Sequence, residues 1–219
     1  MMDASPKPYN IVLDMDGVIL DSEPIKIAAF ASLFSDYPEQ LSVVDQYNRT
    51  HRGIPRSGKF IHVLTSILGL PAEERDLQIL GERYKSVLAR ELSHVPLVRG
   101  IEQFLQLAEF SFFLSSSAPI EEVQSLLQSK ALSHYFQAMY GYPCSKAEVL
   151  RQLKSQYRED SIVFFGDAWA DYQVAQLAGV RFIGVDVYSS LTFDNTDVPV
   201  IKDFSDLERI AEMIEDCPD

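Results

Sequence analysis

Hydrophobic and polar positions divide the sequence into regions of two kinds. A short apolar run at Tyr9–Leu13 has the length and composition of a buried strand. From about Pro24 to His94, apolar residues instead recur every three or four positions, which is the spacing of one face of a helix. Glycine and proline residues interrupt this stretch and separate its helices. We therefore predict a helical region after the first strand, with no strand inside it.

Beyond His94, short apolar runs alternate with segments of helical spacing. This alternation predicts βαβ units and a parallel sheet. The predicted strands are Phe110–Leu114, Ala138–Tyr142, Ser161–Phe165 and Val180–Val185, and the predicted helices are Ile101–Ala108, Ile120–Gln128, Lys146–Leu153, Asp171–Leu177 and Asp206–Ile214.

These elements predict an α/β fold, with a three-layer, Rossmann-like parallel sheet core and an inserted all-helical cap domain. The first strand belongs to the same sheet as the strands beyond residue 94, so the helical region is an insertion after strand one. We place the core domain in residues 1–23 and 96–219, and the cap domain in residues 24–95.

Composition limits the classes of partner. The chain has 219 residues, of which 47% are apolar and 23% charged, as in an ordinary soluble globular protein. A net charge of −13 argues against nucleic acid and against an anionic membrane surface, because both are bound through clustered Lys and Arg. The sequence has no apolar run long enough to span a membrane, its first ten residues lead us to expect no signal peptide, and its two cysteines lack CxxC spacing. We expect a cytoplasmic protein that is a monomer or a weak dimer.

The negative charge is unevenly distributed along the chain. Residues 1–23 and 96–219 carry −4 and −10, whereas residues 24–95 carry +1. The acidity therefore belongs to the predicted core, while residues 46–72 of the predicted cap contain four cations and no carboxylate. A globally acidic protein with this distribution can attract a small anionic ligand between an ion-loaded core and a basic segment.

Carboxylates directly follow two of the predicted strands. Asp14 and Asp16 follow the first strand, and Asp167 follows the strand Ser161–Phe165. Ligands of open parallel α/β sheets bind beyond the carboxyl ends of the strands. Three carboxylates at that edge would repel one another unless a cation neutralised them, and an all-oxygen ligand set suits Mg²⁺. The alternative is that these residues only cap turns and helices.

A hydroxyl and an ammonium group are expected at the same edge. Ser115 follows the strand Phe110–Leu114, and Lys146 follows the strand Ala138–Tyr142 after a short loop. Lysine is a common point charge at a phosphate, and Mg²⁺, lysine and a hydroxyl together stabilise a transferring phosphoryl group. A carboxylate can act as the nucleophile by forming an aspartyl-phosphate. The sequence therefore predicts phosphoryl transfer at this edge.

Four segments carry a resemblance to a known family. In chain order, DMDGV (14–18), FFLSSS (112–117), Lys146 and GDAWAD (166–171) resemble the four motifs of the haloacid dehalogenase superfamily. The resemblance spans nearly the whole chain. The helical insertion after the first motif resembles the cap of the branch that contains phosphoglycolate phosphatase and β-phosphoglucomutase.

The resemblance implies roles for residues of the first three motifs. Asp14 corresponds to the nucleophile, which also binds Mg²⁺. Asp16 corresponds to the general acid and base, whose backbone carbonyl binds the metal in the family. Ser115 corresponds to the hydroxyl on the transferring phosphate, with Ser116 donating its backbone N–H, although the register within the serine run stays open. Lys146 corresponds to the lysine beside the phospho-aspartate.

The resemblance also implies roles in the fourth motif. Asp167 corresponds to the remaining carboxylate ligand of Mg²⁺. Asp171 corresponds to a residue that orients Lys146 or a metal-bound water. Trp169, the only tryptophan, lies between them. We expect its ring to pack at the rim of the motif rather than to stack on a substrate.

The basic cap segment is a candidate for substrate recognition. HRGIPRSGKF (51–60) resembles the stretch in which phosphomutases place an arginine for a distal phosphate, and Arg56 occupies the matching position. We expect Arg56, together with Arg52, to bind a second anionic group of the substrate. The alternative is that these side chains form a solvated basic helix face.

Together these features predict a Mg²⁺-dependent phosphatase of a small anionic phosphorylated metabolite, similar to phosphoglycolate or a sugar phosphate, with an aspartyl-phosphate intermediate. The alternative is a sugar phosphomutase of the β-phosphoglucomutase type, which returns the phosphoryl group to its substrate. A third hypothesis is a relative of these enzymes that binds a ligand without catalysis, and we favour it less. A dehalogenase is disfavoured because that branch has no carboxylate at the position of Asp16. A phosphonate hydrolase is disfavoured because Lys26 and Lys59 are weak candidates for its cap lysine.

Overall fold

The computed structural model describes residues 9–51, 54–92, 94–158, 161–190, 192–194 and 196–215. The chain divides into two compact units. One unit combines the described residues up to Asp21 with those from Pro96 onward, and the other spans Ser22–Val95.

The first unit is built on a parallel sheet of six strands. The strands are β1 (Tyr9–Leu13), β2 (Phe110–Pro119), β3 (Phe136–Tyr142), β4 (Ile162–Gly166), β5 (Arg181–Val185) and β6 (Val200–Ile201).

The order of the strands places a crevice at β1. Their spatial order is β3-β2-β1-β4-β5-β6, and every neighbouring pair is parallel. The chain therefore progresses to one side of β1 through β2 and β3, and to the other side through β4, β5 and β6. Such a reversal opens a crevice at the carboxyl ends of the strands, where ligands of open α/β sheets bind.

Helices surround this sheet and form the second unit. The helices are α1 (Glu23–Ser32), α2 (Leu41–Thr50), α3 (Arg56–His62) and α4 (Glu74–Leu92) in the second unit, and α5 (Ile101–Leu105), α6 (Ile120–Ser129), α7 (Lys146–Gln156), α8 (Trp169–Ala178) and α9 (Leu207–Glu215) in the first.

Both faces of the sheet are covered by apolar side chains. On one face, Val12 and Phe164 belong to a buried cluster that includes residues of α7 and α8. On the other face, Phe165 packs with Phe104 of α5 and with Phe204, at ring-centroid distances of 5.7 Å in each case. Because strand residues alternate between the two faces, the strands of a sheet that is covered on both sides appear in the sequence as continuous apolar runs.

The second unit has an aromatic core of its own. Phe30 of α1 stacks on Phe60 of α3 with ring centroids 5.6 Å apart, and Tyr84 of α4 meets both rings edge-on. A π-helical turn, Val63–Ile67, continues α3 and adds two buried residues to the same cluster. The described residues of this unit contain no strand, in agreement with the helical spacing of its sequence.

The parallel α/β sheet predicted from the sequence is confirmed, and the differences are local. β2 continues through the serine run to Pro119 instead of ending at Leu114, and α5 ends at Leu105 rather than Ala108. β6 was not predicted, because its two residues are too few to show a period. No helix in the described part of the chain is both long and apolar enough to cross a membrane.

Candidate active site

The register of three strands brings the predicted motif residues to one edge of the sheet. Leu13 is paired with Leu114 of β2 and with Phe165 of β4, so the residues that follow these positions lie side by side. The backbone N–H of Asp14 donates to the carbonyl of Phe165 at 3.0 Å, which fixes Asp14 against the end of β4. Asp14, Ser115 and Asp167 therefore share the carboxyl edge at the crevice.

A buried ionic cluster occupies this edge. The Lys146 ammonium donates to Oδ1 of Asp171 at 2.5 Å and lies 2.9 Å from Oδ1 of Asp14. The exposed fractions of these side chains are 10% for Lys146, 9% for Asp14 and 2% for Asp171. Because few water molecules can reach such groups, their mutual interactions are stronger than those of a surface ion pair.

At Asp14 and at Lys146, burial and the nearest opposite charge shift the pKa in opposite directions. Burial raises the pKa of the Asp14 carboxyl, Lys146 lowers it, and the nearby Asp171 and Asp16 carboxylates raise it again. Burial lowers the pKa of the Lys146 ammonium, but the Asp14 and Asp171 carboxylates outweigh burial and raise this pKa above its ordinary value. Lys146 therefore stays charged, while ionised Asp14 needs more positive charge than Lys146 alone supplies.

Three carboxylates at this edge are close enough to share a cation. Oxygen atoms of Asp14, Asp167 and Asp171 all lie within 4.8 Å of one another, and the three residues are buried. Three ionised carboxylates and one ammonium leave a net negative charge in a buried site, which a divalent cation would balance. Carboxylate oxygens are the donors that Mg²⁺ prefers. The donor set therefore fits this ion.

Two glycines allow the carboxylates to approach this closely. Gly17 has a φ of +77°, and a Cβ at this position would lie 2.4 Å from Oδ2 of Asp167. Gly166 lies against Asp171, where an added Cβ would lie 2.6 Å from the Cβ of the aspartate. Any side chain at either position would push a carboxylate out of the cluster.

Asp171 is held from two sides. Besides its contact with Lys146, it accepts a hydrogen bond on Oδ2 from the backbone N–H of Ala168 at 3.3 Å. The first contact holds the Lys146 ammonium against this carboxylate, and the predicted role of Asp171 at the site stays a prediction. The side chain of Asp16 is partly exposed and is not among the clustered carboxylates of the described residues.

Two of the three serines of the second motif, Ser115 and Ser116, are buried, but they differ in their contacts. The Ser116 hydroxyl accepts a hydrogen bond from the backbone N–H of Ala118 at 3.1 Å, so it serves the local turn. Among the described residues, no hydrogen-bond partner is found for the hydroxyl of Ser115, which follows Leu114, the partner of Leu13, in β2. Of the two hydroxyls, that of Ser115 is therefore better placed to bind a ligand.

The position of Lys146 depends on a helix cap that the sequence predictions missed. Ser145 accepts a hydrogen bond from the Glu148 backbone N–H at 3.3 Å, and the Glu148 carboxylate accepts one from the Ser145 N–H at 2.7 Å. This reciprocal pair fixes the first turn of α7, where Lys146 is the first residue. The signal was present in the sequence as the spacing S-x-x-E over residues 145–148.

Three cationic residues of the second unit contact groups within that unit. The Arg56 guanidinium lies 5.7 Å from the centroid of the Tyr84 ring, and the Lys59 ammonium donates to Oδ1 of the buried Asn48 at 2.9 Å. Arg49 is paired with Asp45 at 2.7 Å. Arg52, the other predicted substrate contact, lies outside the described residues. The predicted role of Arg56 and Arg52 in binding a distal anion stays a prediction.

Comparisons with known proteins agree with this architecture. The model of the haloacid dehalogenase-like hydrolase family matches residues 11–185. A phosphorylated carbohydrates phosphatase of Thermotoga maritima is 24% identical over 183 residues, which cover 80% of this chain and 84% of that protein.

Solved structures show the same fold at low sequence identity. A predicted phosphoglycolate phosphatase of Haemophilus somnus has a TM-score of 0.76 and 19% identity, and the match covers 95% of this chain and 100% of that chain. A haloacid dehalogenase-like protein of unknown function from Agrobacterium tumefaciens has a TM-score of 0.75 and 20% identity, covering 94% of this chain and 99% of that chain. At these identities, the likeness supports the fold and does not by itself assign a substrate.

Proposed function

The chain belongs to the haloacid dehalogenase-like hydrolase family, and we propose that it is a Mg²⁺-dependent phosphatase of a small phosphorylated carbohydrate or a related phosphorylated metabolite. The observation that carries this proposal is the buried contact between Asp14 and Lys146, 2.9 Å apart, within a group of three carboxylates at the carboxyl edge of the sheet. The name of the Thermotoga maritima relative, a phosphorylated carbohydrates phosphatase, supports the substrate class.

In the first chemical step we assign Asp14 as the nucleophile. One of its carboxylate oxygens forms a bond to the phosphorus while the bond from phosphorus to the ester oxygen breaks. The electron pair of that bond stays on the leaving oxygen, which takes a proton from the Asp16 carboxyl and departs as an alcohol. Asp16 is partly exposed, in contrast to buried Asp14, as expected of a group that must reach the leaving oxygen and then a water molecule.

In the second step Asp16, now a carboxylate, acts as the base. It takes a proton from a water molecule whose oxygen attacks the phosphorus, and the bond from phosphorus to the Asp14 oxygen breaks. Inorganic phosphate leaves, and the Asp14 carboxylate and the Asp16 carboxyl are restored. An aspartyl-phosphate thus divides one difficult displacement into two easier ones.

The surrounding residues position these groups and offset charge. Lys146 holds Asp14 in place and offers positive charge to the phosphoryl oxygens, while Asp171 keeps Lys146 oriented. The Ser115 hydroxyl and the Ser116 N–H are the donors we assign to those oxygens. Asp14, Asp167 and the main-chain carbonyl of Asp16 would hold Mg²⁺. When bound, the ion adds positive charge where the phosphoryl group carries negative charge.

A substrate panel tests this proposal. We expect phosphate release from one or more phosphorylated sugars or small phosphorylated acids in the presence of Mg²⁺, and loss of that release when EDTA removes the ion. We expect the Asp14→Asn variant to lose more than about 10⁴-fold in kcat, because it removes the nucleophile and keeps its shape. Asp186→Asn is the matched control. Asp186 also follows a strand, β5, at the same edge of the sheet, but its carboxylate accepts a hydrogen bond from the backbone N–H of Ser190.

Three results would contradict the proposal. One is phosphate release that does not depend on Mg²⁺, and another is release that persists in the Asp14→Asn variant. The third is conversion of a sugar 1-phosphate into its isomer, measured in a coupled assay, without net release of phosphate. That last result would assign a phosphomutase activity to the same site.

A further inference from the structure

One residue of the fourth motif has no part in the chemistry assigned above. Trp169 is the first residue of α8 and follows Asp167 by two positions, at the carboxyl edge of β4. Its exposed fraction is 44%, a large value for the side chain with the greatest apolar surface. Rim packing, which the sequence predicts for this ring, accounts for its covered part and gives no role to its exposed part.

Trp169 rests on a row of rings that leads into the core. Its ring centroid lies 5.0 Å from that of Tyr172, and Tyr172 lies 5.7 Å from Phe182. Phe182 in turn lies 5.7 Å from Phe164, a fully buried residue of β4 whose ring centroid is 5.7 Å from the Lys146 ammonium. One part of the indole is thus supported by rigid packing, and the rest stays available to a ligand.

The chemistry of an indole ring differs from that of its neighbours at this edge. Asp14, Lys146, Asp167 and Ser115 provide charges and hydrogen-bonding groups, which suit the phosphoryl end of a substrate. The electron-rich face of an aromatic ring disfavours an anion, but it attracts weakly positive C–H groups and covers apolar surface. The carbon skeleton of a sugar offers such C–H groups on the face of its ring.

We propose that Trp169 is a specificity-determining residue, which stacks on the sugar ring of a phosphorylated carbohydrate while the phosphoryl group lies at Asp14. This inference rests on the proposed phosphatase function and narrows its substrate class to cyclic sugar phosphates. Small-molecule sites commonly combine aromatic walls with a few polar groups that fix orientation, and the edge beyond β4 offers both.

Two substrates, of which only one contains a ring, distinguish an effect on ring stacking from an effect on the phosphoryl chemistry. The first substrate is the cyclic sugar phosphate that the panel hydrolyses fastest, and the second is acetyl phosphate, which has no ring. We expect Trp169→Ala to raise KM for the sugar phosphate about 3- to 10-fold, the range expected for loss of one aromatic contact. We expect KM for acetyl phosphate to stay within about twofold, and Trp169→Phe to restore most of the loss.

Tyr157 provides a matched control for this variant. It is another exposed aromatic side chain, with an exposed fraction of 39%, and it also rests on a core ring, Phe113, at 5.7 Å. It follows the last residue of α7 and precedes β4, so it lies near the amino ends of the strands, opposite to the carboxyl edge that holds Asp14. We expect Tyr157→Ala to leave both KM values unchanged.

Intrinsic fluorescence gives an independent reading, because Trp169 is the only tryptophan in the chain. In the Asp14→Asn variant, which binds without turnover, we expect the sugar phosphate to change the emission and inorganic phosphate to leave it nearly unchanged. Unchanged emission at a sugar phosphate concentration that saturates the site by calorimetry would overturn the stacking proposal, as would equal effects of Trp169→Ala on both substrates. Hydrolysis of neither substrate by the unmodified protein would overturn the proposed function as well.

Discussion

Both units of this protein bury aromatic rings, but among the described residues only the sheet unit also buries carboxylates. The sheet unit buries an ionic cluster of Asp14, Lys146 and Asp171 at the edge of its sheet. The helical unit buries aromatic rings, of which Phe30 and Phe60 stack directly. Burial of charge costs free energy that ion pairs only partly offset, whereas burial of aromatic surface stabilises the fold. We infer that the first arrangement is maintained for chemistry and the second for stability.

Two lysines illustrate the same contrast. Lys146 contacts two carboxylates and is nearly inaccessible to water. Lys59 donates to the amide oxygen of Asn48, and its ammonium lies 5.9 Å from the centroid of the Phe30 ring. The residue type is the same, but of the two only Lys146 contacts the carboxylates to which we assign the phosphoryl chemistry. The environment of a lysine, more than its presence in a motif, indicates its role.

The largest effect on stability is expected in the aromatic core of the helical unit. Phe60→Ala removes a fully buried ring that contacts both Phe30 and Tyr84, so we expect the free energy of unfolding to fall by about 3–5 kcal/mol. The control is Ile61→Ala, at the neighbouring and largely exposed position of the same helix, for which we expect at most about 0.5 kcal/mol. Denaturant unfolding followed by circular dichroism measures both. Equal losses in the two variants would show that the buried ring of Phe60 has no special part in the stability of the helical unit.

A smaller effect, on catalysis, is expected at the ionic cluster. Lys146→Met keeps the length of the side chain and removes its charge, so we expect kcat to fall about 10²- to 10³-fold. Lys154→Met is the matched control, because Lys154 lies on the same helix and donates to the carbonyl of Ala178, away from the carboxylates. Steady-state kinetics with the best substrate of the panel measures both variants. A similar loss in the two would show that the charge of Lys146 has no special part in catalysis.

Much of the fold could be predicted from the sequence, because its strands are short apolar runs buried on both faces. β1 matches its predicted bounds, β5 begins one residue later than predicted, and β4 is shifted by one residue at both ends. The continuation of β2 through three serines could not be predicted, because polar residues inside a strand carry no apolar period. Ser115 pairs with Tyr140 of β3, and the pairing resumes at Pro119 after a shift in register, an arrangement that depends on tertiary structure.

Less of the site could be predicted than of the fold. Positions after strands identify Asp14 and Asp167, since parallel strands end at a common edge. The closeness of Asp171 to both Lys146 and the other carboxylates depends on Gly166, which brings the start of α8 against the end of β4. The support of Trp169 by Tyr172 and Phe182 likewise joins residues of separate elements. No hydrophobic period indicates either contact, and only the resemblance of GDAWAD (166–171) to the fourth motif implied the first.

Trapping of the covalent intermediate tests most directly the claim that Asp14 is the nucleophile. The Asp16→Asn variant is mixed with an aryl phosphate whose good leaving group needs no proton, so that the first step proceeds and the second is slowed. Acid quenching, borohydride reduction and peptide mass spectrometry then locate the phosphorylated carboxylate. We expect reduction of Asp14 to homoserine, and no such product when Asp14→Asn is added to the variant. Modification at any other residue, or an intact Asp14 after a measured burst of the released alcohol, would contradict the account.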